Sequence, residues 1–355
     1  AQIDEARGRG MRVYCKADTF ATWQFGTLPY LPFPHQWHAR YKALEAYGVN
    51  GTLESHSSGY KPNIIADLRA WTCWSDAPPL EDLLGALAAR DFGVGGKERV
   101  LKAWDHFSQA IRLVPDTGPN MGTNNAVGNP LFFQEPPART ATFNYSWKDH
   151  DQWTGYLGAG ILPARPFTVF YLVFCPDFTN RTNRAEIYAR NVSGVQVGDD
   201  TAVLPAFLNA LHQAAKHMEK GLKLYRAAAL DSPPAKRQRA VREAVVAEQL
   251  LRMIQSECAI LEFEDLRLQQ VIATDSRQAV SLLDRMERIL RQEITRTRRS
   301  LLAATRDSRL GFQFEQDYVY TPYSLREKLG VLRDTLREHI PTARQRWEDG
   351  ATPQP

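Results

Sequence analysis

Hydrophobic and polar positions fall into two regimes along the chain. In the first, Met11-Arg12-Val13-Tyr14-Cys15-Lys16-Ala17-Asp18 follows the Gly8-Arg9-Gly10 break as a short β-prone run, the pattern of a buried strand. Gln36 to Tyr47 has helical character and stops at Gly48, and Val49-Asn50-Gly51-Thr52-Leu53-Glu54 reads as a second strand. A polar loop, Ser55 to Asn63, follows. Strand, loop, helix and strand within about fifty residues is the repeat unit of a parallel α/β fold.

Helices are expected from Ile64 to Val114. Pro78-Pro79 lies just ahead of one, where proline is tolerated, and Asp91-Phe92-Gly93-Val94-Gly95-Gly96 separates two others. From Pro115 to about Asp200 the chain is rich in Gly, Pro and Asn, with one clear strand pattern at Phe167 to Phe174. Beyond Leu204 the second regime begins. Val241, Ala244, Ala247, Leu251, Ile254, Cys258 and Leu261 keep a three-four spacing, as do Ala279, Leu282, Met286, Ile289 and Leu301. With Leu204 to Leu230 and Ser324 to Ile340, these predict an antiparallel bundle rather than a long coiled coil. The expected organisation is barrel-type strands and helices over 1–114, an irregular insertion over 115–203, a helical bundle over 204–345 and a flexible tail over 346–355.

Composition changes this picture little. The 355 residues are 43% hydrophobic and 24% charged, values typical of a globular protein of two domains. A net charge of +4 gives no electrostatic case for nucleic acid as a partner. The basic runs Lys236-Arg237-Gln238-Arg239 and Arg296-Thr297-Arg298-Arg299 sit in helical patterns and read as solvated faces. Cys15, Cys73, Cys175 and Cys258 show no metal-ligand spacing and read as buried free thiols. No metal or organic cofactor is implied. No apolar run has membrane-spanning length and Ala1 to Arg7 is not a signal peptide, so the expectation is a cytoplasmic protein without a membrane partner.

The chemistry-bearing residues cluster at the strand ends. Asp18 ends the first strand and Glu54 the second, and glycoside hydrolysis needs two carboxyl groups facing one pocket. Neighbouring parallel strands are about 5 Å apart, which permits the pair. The plainer alternative is that either acid caps a helix or pairs with Lys16 or Lys61. Glu54 is followed at once by Ser55, His56 and Ser57, a polar run suited to hydroxyl groups. Trp23, Phe25, Tyr30, Phe33 and Trp37 crowd the loop after Asp18, with Trp71 and Trp74 beyond Glu54. Aromatic rings stack on the C–H faces of sugars, although about half of these rings are expected in the core. The candidate site is therefore Glu54 and Asp18 as catalytic carboxylates, with Trp23, Lys16, His56, Ser55, Asn63 and Trp74 binding substrate. His106 reads as a packing residue, and no GxGxxG, P-loop or nucleophile elbow occurs.

The stretches Arg12 to Phe20, Trp23-Gln24-Phe25-Gly26, Gly51-Thr52-Leu53-Glu54-Ser55 and Gly59-Tyr60-Lys61-Pro62-Asn63 resemble the last two strands of bacterial glycoside-hydrolase-like barrel proteins. Ala103-Trp104-Asp105-His106-Phe107-Ser108-Gln109-Ala110 and Asp307 to Phe312 are similar to the helical region that follows such barrels, as in hexosaminidase- and glucuronidase-type enzymes. The resemblance implies a partial (β/α) TIM-type barrel followed by an all-α bundle, and hydrolysis of a carbohydrate. A barrel has eight strands and only two are legible, so the rest is expected from an upstream segment or from another polypeptide in an oligomer. Two rival readings stand beside hydrolysis: a carbohydrate-binding protein without turnover, and a helical protein-interaction module with an exposed apolar stripe.

Overall fold

In the computed structural model of the chain, β1 (Tyr14–Lys16) and β2 (Gly51–Leu53) pair in parallel, with Tyr14 opposite Gly51, Cys15 opposite Thr52 and Lys16 opposite Leu53. The structure describes residues 2–17, 25, 27–54, 62–114, 126–128, 130–134, 203–313, 317–318 and 320–350. The register is fixed at its start by Asn50. Its amide N–H donates to the Val13 carbonyl at 2.8 Å, and its side-chain oxygen accepts from the Val13 N–H at 2.8 Å. Gly51 lets the Tyr14 ring lie over the neighbouring strand, since a Cβ there would come within 2.6 Å of that ring and push it aside.

Between the strands runs α2 (Pro34–Ala46), preceded in the chain by the short α1 (Gln2–Gly8). Pro34 opens α2 where its missing N–H costs nothing. Trp37 and Tyr41, one turn apart, are both buried; Phe33 stacks on Trp37 at 6.1 Å and Trp37 on Tyr41 at 6.3 Å. After β2 come three helices without an intervening strand among the described residues: α3 (Ile64–Thr72), α4 (Leu80–Phe92) and α5 (Lys97–Ile111). They are followed by the long helices α6 (Val203–Asp231), α7 (Pro234–Val271) and α8 (Ser276–Arg306), then α9 (Pro322–Asp334) and α10 (Ile340–Glu348).

The chain divides into two compact units. One comprises Ala1–Thr22, Leu28–Val114 and Gln213–Leu251. Its core gathers on Tyr225 of α6: Phe92 and Phe107 contact that ring at 4.8 and 5.4 Å, and the Trp104 indole N–H donates to its hydroxyl at 3.2 Å. Trp104, Tyr225, Phe92 and Phe107 are all fully enclosed. The helices approach closely because position 221 is glycine; a Cβ there would meet the Phe107 ring at 2.6 Å and the Ala103 carbonyl at 3.0 Å.

The other unit comprises Trp23–Thr27, Pro115–His212 and Arg252–Pro355. The stripe Ala279, Leu282, Met286 and Ile289 of α8 is buried, as its helical spacing requires. A two-residue antiparallel ladder, β3 (Phe312–Gln313) with β4 (Asp317–Tyr318), precedes α9. Between α9 and α10 the helix widens into a π turn at Thr335–His339. Pro341 explains the widening, since it offers no N–H to the carbonyl four residues earlier. Beyond Pro341 the chain stays helical to Glu348 and buries Trp347.

The fold departs from the expected partial barrel. Among the described residues one parallel strand pair and one short antiparallel pair are the whole of the β-structure, and the chain is mostly helical. A β-α-β unit establishes the pairing of its own two strands and nothing further. Ile64, Ile65 and Leu68, then Leu83, Leu84, Leu87 and Ala88, follow helical spacing and are buried. Such faces are satisfied by packing on other helices and do not call for more strands. The insertion expected at 115–203, with the strand pattern at Phe167, lies almost wholly outside the described residues.

Candidate functional site

The residue following β2 is Glu54, and its carboxylate is held by groups from two elements. Arg69 of α3 donates from Nε to Glu54 Oε1 at 2.6 Å and from a terminal nitrogen to Thr52 Oγ1 at 2.9 Å; the Thr52 hydroxyl in turn donates to Glu54. The guanidinium lies 4.8 Å from the centre of the Tyr41 ring. Burial works against the charge of Arg69, yet the hydrogen bond and charge of Glu54 outweigh it and raise the guanidinium above its ordinary value. The side chains of Glu54 and Arg69 are 20% and 16% exposed, so the pair is sheltered but reachable. An ion pair of this kind with a ring beneath it is a fixed set of donors and acceptors for hydroxyl groups.

Lys16 ends β1 and is exposed. Asn63 is buried and caps α3, its side-chain oxygen accepting from the N–H groups of Ile65 at 2.9 Å and Ala66 at 3.0 Å. Asn63→Ala is accordingly expected to cost about 1 kcal/mol in thermal or urea unfolding. A much larger loss, or none, would contradict the capping role. Asp18, Trp23, Ser55 and His56 lie outside the described residues. Of the loop aromatics, Phe25, Tyr30, Phe33 and Trp37 are core.

Trp74 is 67% exposed and Trp71 47%, with their rings 6.1 Å apart and tilted by 33°. Two residues along a helix is about 200° of rotation, so Trp71 projects from the side of α3 opposite Arg69. Trp74 joins it because α3 has ended: the N–H of Trp74 bonds the carbonyl of Trp71 at 3.2 Å. The structure thus separates two features that the sequence grouped, a polar cluster at Glu54 and an exposed indole pair across the helix. Cys73, between the indoles, is exposed rather than buried as expected; Cys258 is buried and Cys15 half-buried.

Other polar groups have structural uses. The Ser108 hydroxyl lies 2.9 Å from His35 Nδ1, and Gln36 donates to the Ser108 carbonyl at 2.7 Å. Ser108 is buried inside α5, where the backbone N–H groups are committed to the helix. The contact locks α2 onto α5. In the second unit Lys328 of α9 is completely buried. It donates to Glu293 Oε1 at 2.6 Å and to the carbonyls of Val127 at 2.8 Å and Ala126 at 3.4 Å. Arg296 Nε and the Ser256 hydroxyl also donate to Glu293, at 2.7 and 2.9 Å. Residue spacing does not announce this network, since Lys, Glu and Arg at helical spacing read as solvated. Burial alone would raise the Glu293 carboxyl, but Lys328 and Arg296 together bring it down to about 2.

Among the described residues no group of three or more His, Cys, Asp or Glu side chains is placed to hold a metal ion, and no helix is long and apolar enough to cross a membrane. No family model, no curated protein and no solved structure matches the chain.

Proposed function

We propose that this chain binds carbohydrate through its first unit, with the Trp71–Trp74 pair as the stacking platform. The exposed contact of two indoles carries the reading. Large apolar rings left in water cost free energy unless they are covered in use, and indole faces are the surfaces on which sugar C–H faces pack while the hydroxyls stay wet. A platform of this form needs no enclosed pocket and suits an extended oligosaccharide, each ring taking one sugar unit. Among the described residues each of the three long helices carries one exposed large apolar side chain, Leu230, Val241 and Leu302, so none of them by itself presents an apolar stripe to a protein partner.

Binding is expected in affinity electrophoresis or calorimetry against a panel of neutral oligo- and polysaccharides. Trp74→Ala should weaken it by roughly tenfold or more, the scale of losing about 1.4 kcal/mol of stacking. Failure to bind any member of the panel, or equal binding by Trp74→Ala and Trp71→Ala, would sink the proposal.

A second reading, hydrolysis with Glu54 as the carboxylate, is favoured by the Thr52–Glu54–Arg69 cluster at the C-terminal end of a parallel strand. It predicts turnover of chromogenic glycosides that Glu54→Gln abolishes while sugar binding at the indoles survives. Wild-type turnover in Glu54→Gln would remove that role.

A further inference from the structure

On the first unit, well away in sequence from the features above, His106 of α5 faces His217 of α6. Their ring centres are 5.8 Å apart and the planes inclined by 50°. Both side chains are partly exposed, yet the Nδ1 atom of each is sealed from solvent and has no hydrogen-bond partner. Each of the two facing rings thus carries one nitrogen that is shut off from solvent and unpartnered. An imidazole nitrogen so placed forfeits its water without replacement, and here it happens twice on facing residues.

We propose that His106 and His217 form a binding site for a divalent transition-metal ion of the zinc, nickel or copper type, held by the two Nδ1 atoms. Imidazole nitrogen suits those ions over magnesium or calcium, which take oxygen ligands. The spacing fits. With metal–nitrogen bonds of about 2.1 Å, one ion holds two imidazole centres roughly 5.3 Å apart at a tetrahedral angle and about 6.4 Å apart when linear. The observed separation falls between these limits. The frame is rigid. Phe107, the neighbour of His106, packs on Tyr225 and presses against Gly221, one turn beyond His217, so neither helix can shift to close the gap.

Charge near the pair is mixed. Asp105 favours a cation beside His217, and Lys220 opposes it. Asp105 is exposed and accepts from Gln109 at 2.6 Å, which leaves it on the solvent side of the pair. Two protein ligands fill only part of the coordination of such an ion, so the site is suited to weakly held, exchangeable metal rather than to a permanent one.

The test is titration of the full chain with zinc chloride alone, followed by calorimetry at neutral pH. Saturable one-to-one binding is expected. His106→Gln and His217→Gln should each weaken it by roughly tenfold or more, while His38→Gln, on α2, leaves it unchanged. If either variant fails to fold, copper(II) electron paramagnetic resonance on the wild-type chain decides. Two equivalent nitrogen couplings support the site, and a spectrum of hydrated or single-nitrogen copper overturns it. Binding that survives both substitutions, or no saturable binding, likewise overturns the proposal.

Discussion

Lys328→Met is expected to destabilise the second unit by about 3–5 kcal/mol. The methionine fills much of the same space, so the loss is electrostatic. Glu293 would remain fully buried with one cation instead of two, and the carbonyls of Ala126 and Val127 would lose the donor that ties them to α9. Adding Glu293→Gln should recover part of the loss, because the buried carboxylate charge is then gone and Arg296, the cation it leaves, is partly exposed. Urea unfolding of the two variants beside wild type measures both effects. A shift below about 1 kcal/mol for Lys328→Met would mean that the buried pair is not held as described.

The same network predicts an acid limit. The folded Glu293 carboxyl sits near 2, below its ordinary 4.5. Its contribution is therefore complete above the ordinary carboxylate range and is lost as pH falls from there through the lowered folded value. The urea midpoint of wild type should fall through that window, and the fall should be shallower in Lys328→Met, whose Glu293 no longer has the lysine partner.

Trp104→Ala should cost a similar amount in the first unit, about 3–5 kcal/mol. It removes the largest fully enclosed side chain among the described residues and strands the buried hydroxyl of Tyr225. Trp104→Phe separates the two contributions: it keeps a ring in the cavity and loses the N–H donor, with an expected cost of about 1–2 kcal/mol. Equal stability of the two variants in thermal unfolding would show that volume at this position carries no weight.

The local elements were legible in the sequence for ordinary reasons. The strands around Tyr14 and Thr52, the helix ending before Gly48 and the break at Gly93 are each set by neighbouring residues, and the structure places them within a few positions of the expected bounds. The parallel pairing of β1 and β2 follows from the helix between them. The barrel did not follow, because closing a sheet depends on strands remote in sequence, and the residues after Leu53 prescribe helices.

The candidate site divides in the same manner. Glu54 was visible as a strand-end acid, but Arg69, which holds it, lies fifteen residues on in a helix and carried no signal. Asn63 stands directly before Ile64-Ile65, the ordinary place for a helix cap, and that local signal outweighs the polar company in which it was first read. Thr297 is buried within the run Arg296 to Arg299 that looks solvated, as is Ser300 just after it, whereas Arg298 and Arg299 are exposed. Burial of polar residues is decided by which helix packs on them, and spacing alone does not reveal that partner.

The most direct measurement of carbohydrate binding is a nitrogen–proton correlation spectrum of the indole N–H groups, titrated with the oligosaccharide that binds best in the panel. The signals of Trp71 and Trp74, assigned by Trp71→Phe and Trp74→Phe, should shift together and saturate, while that of the buried Trp104 stays in place. Saturable binding that leaves both exposed indoles unmoved would contradict the account, because the sugar would then be held elsewhere on the chain.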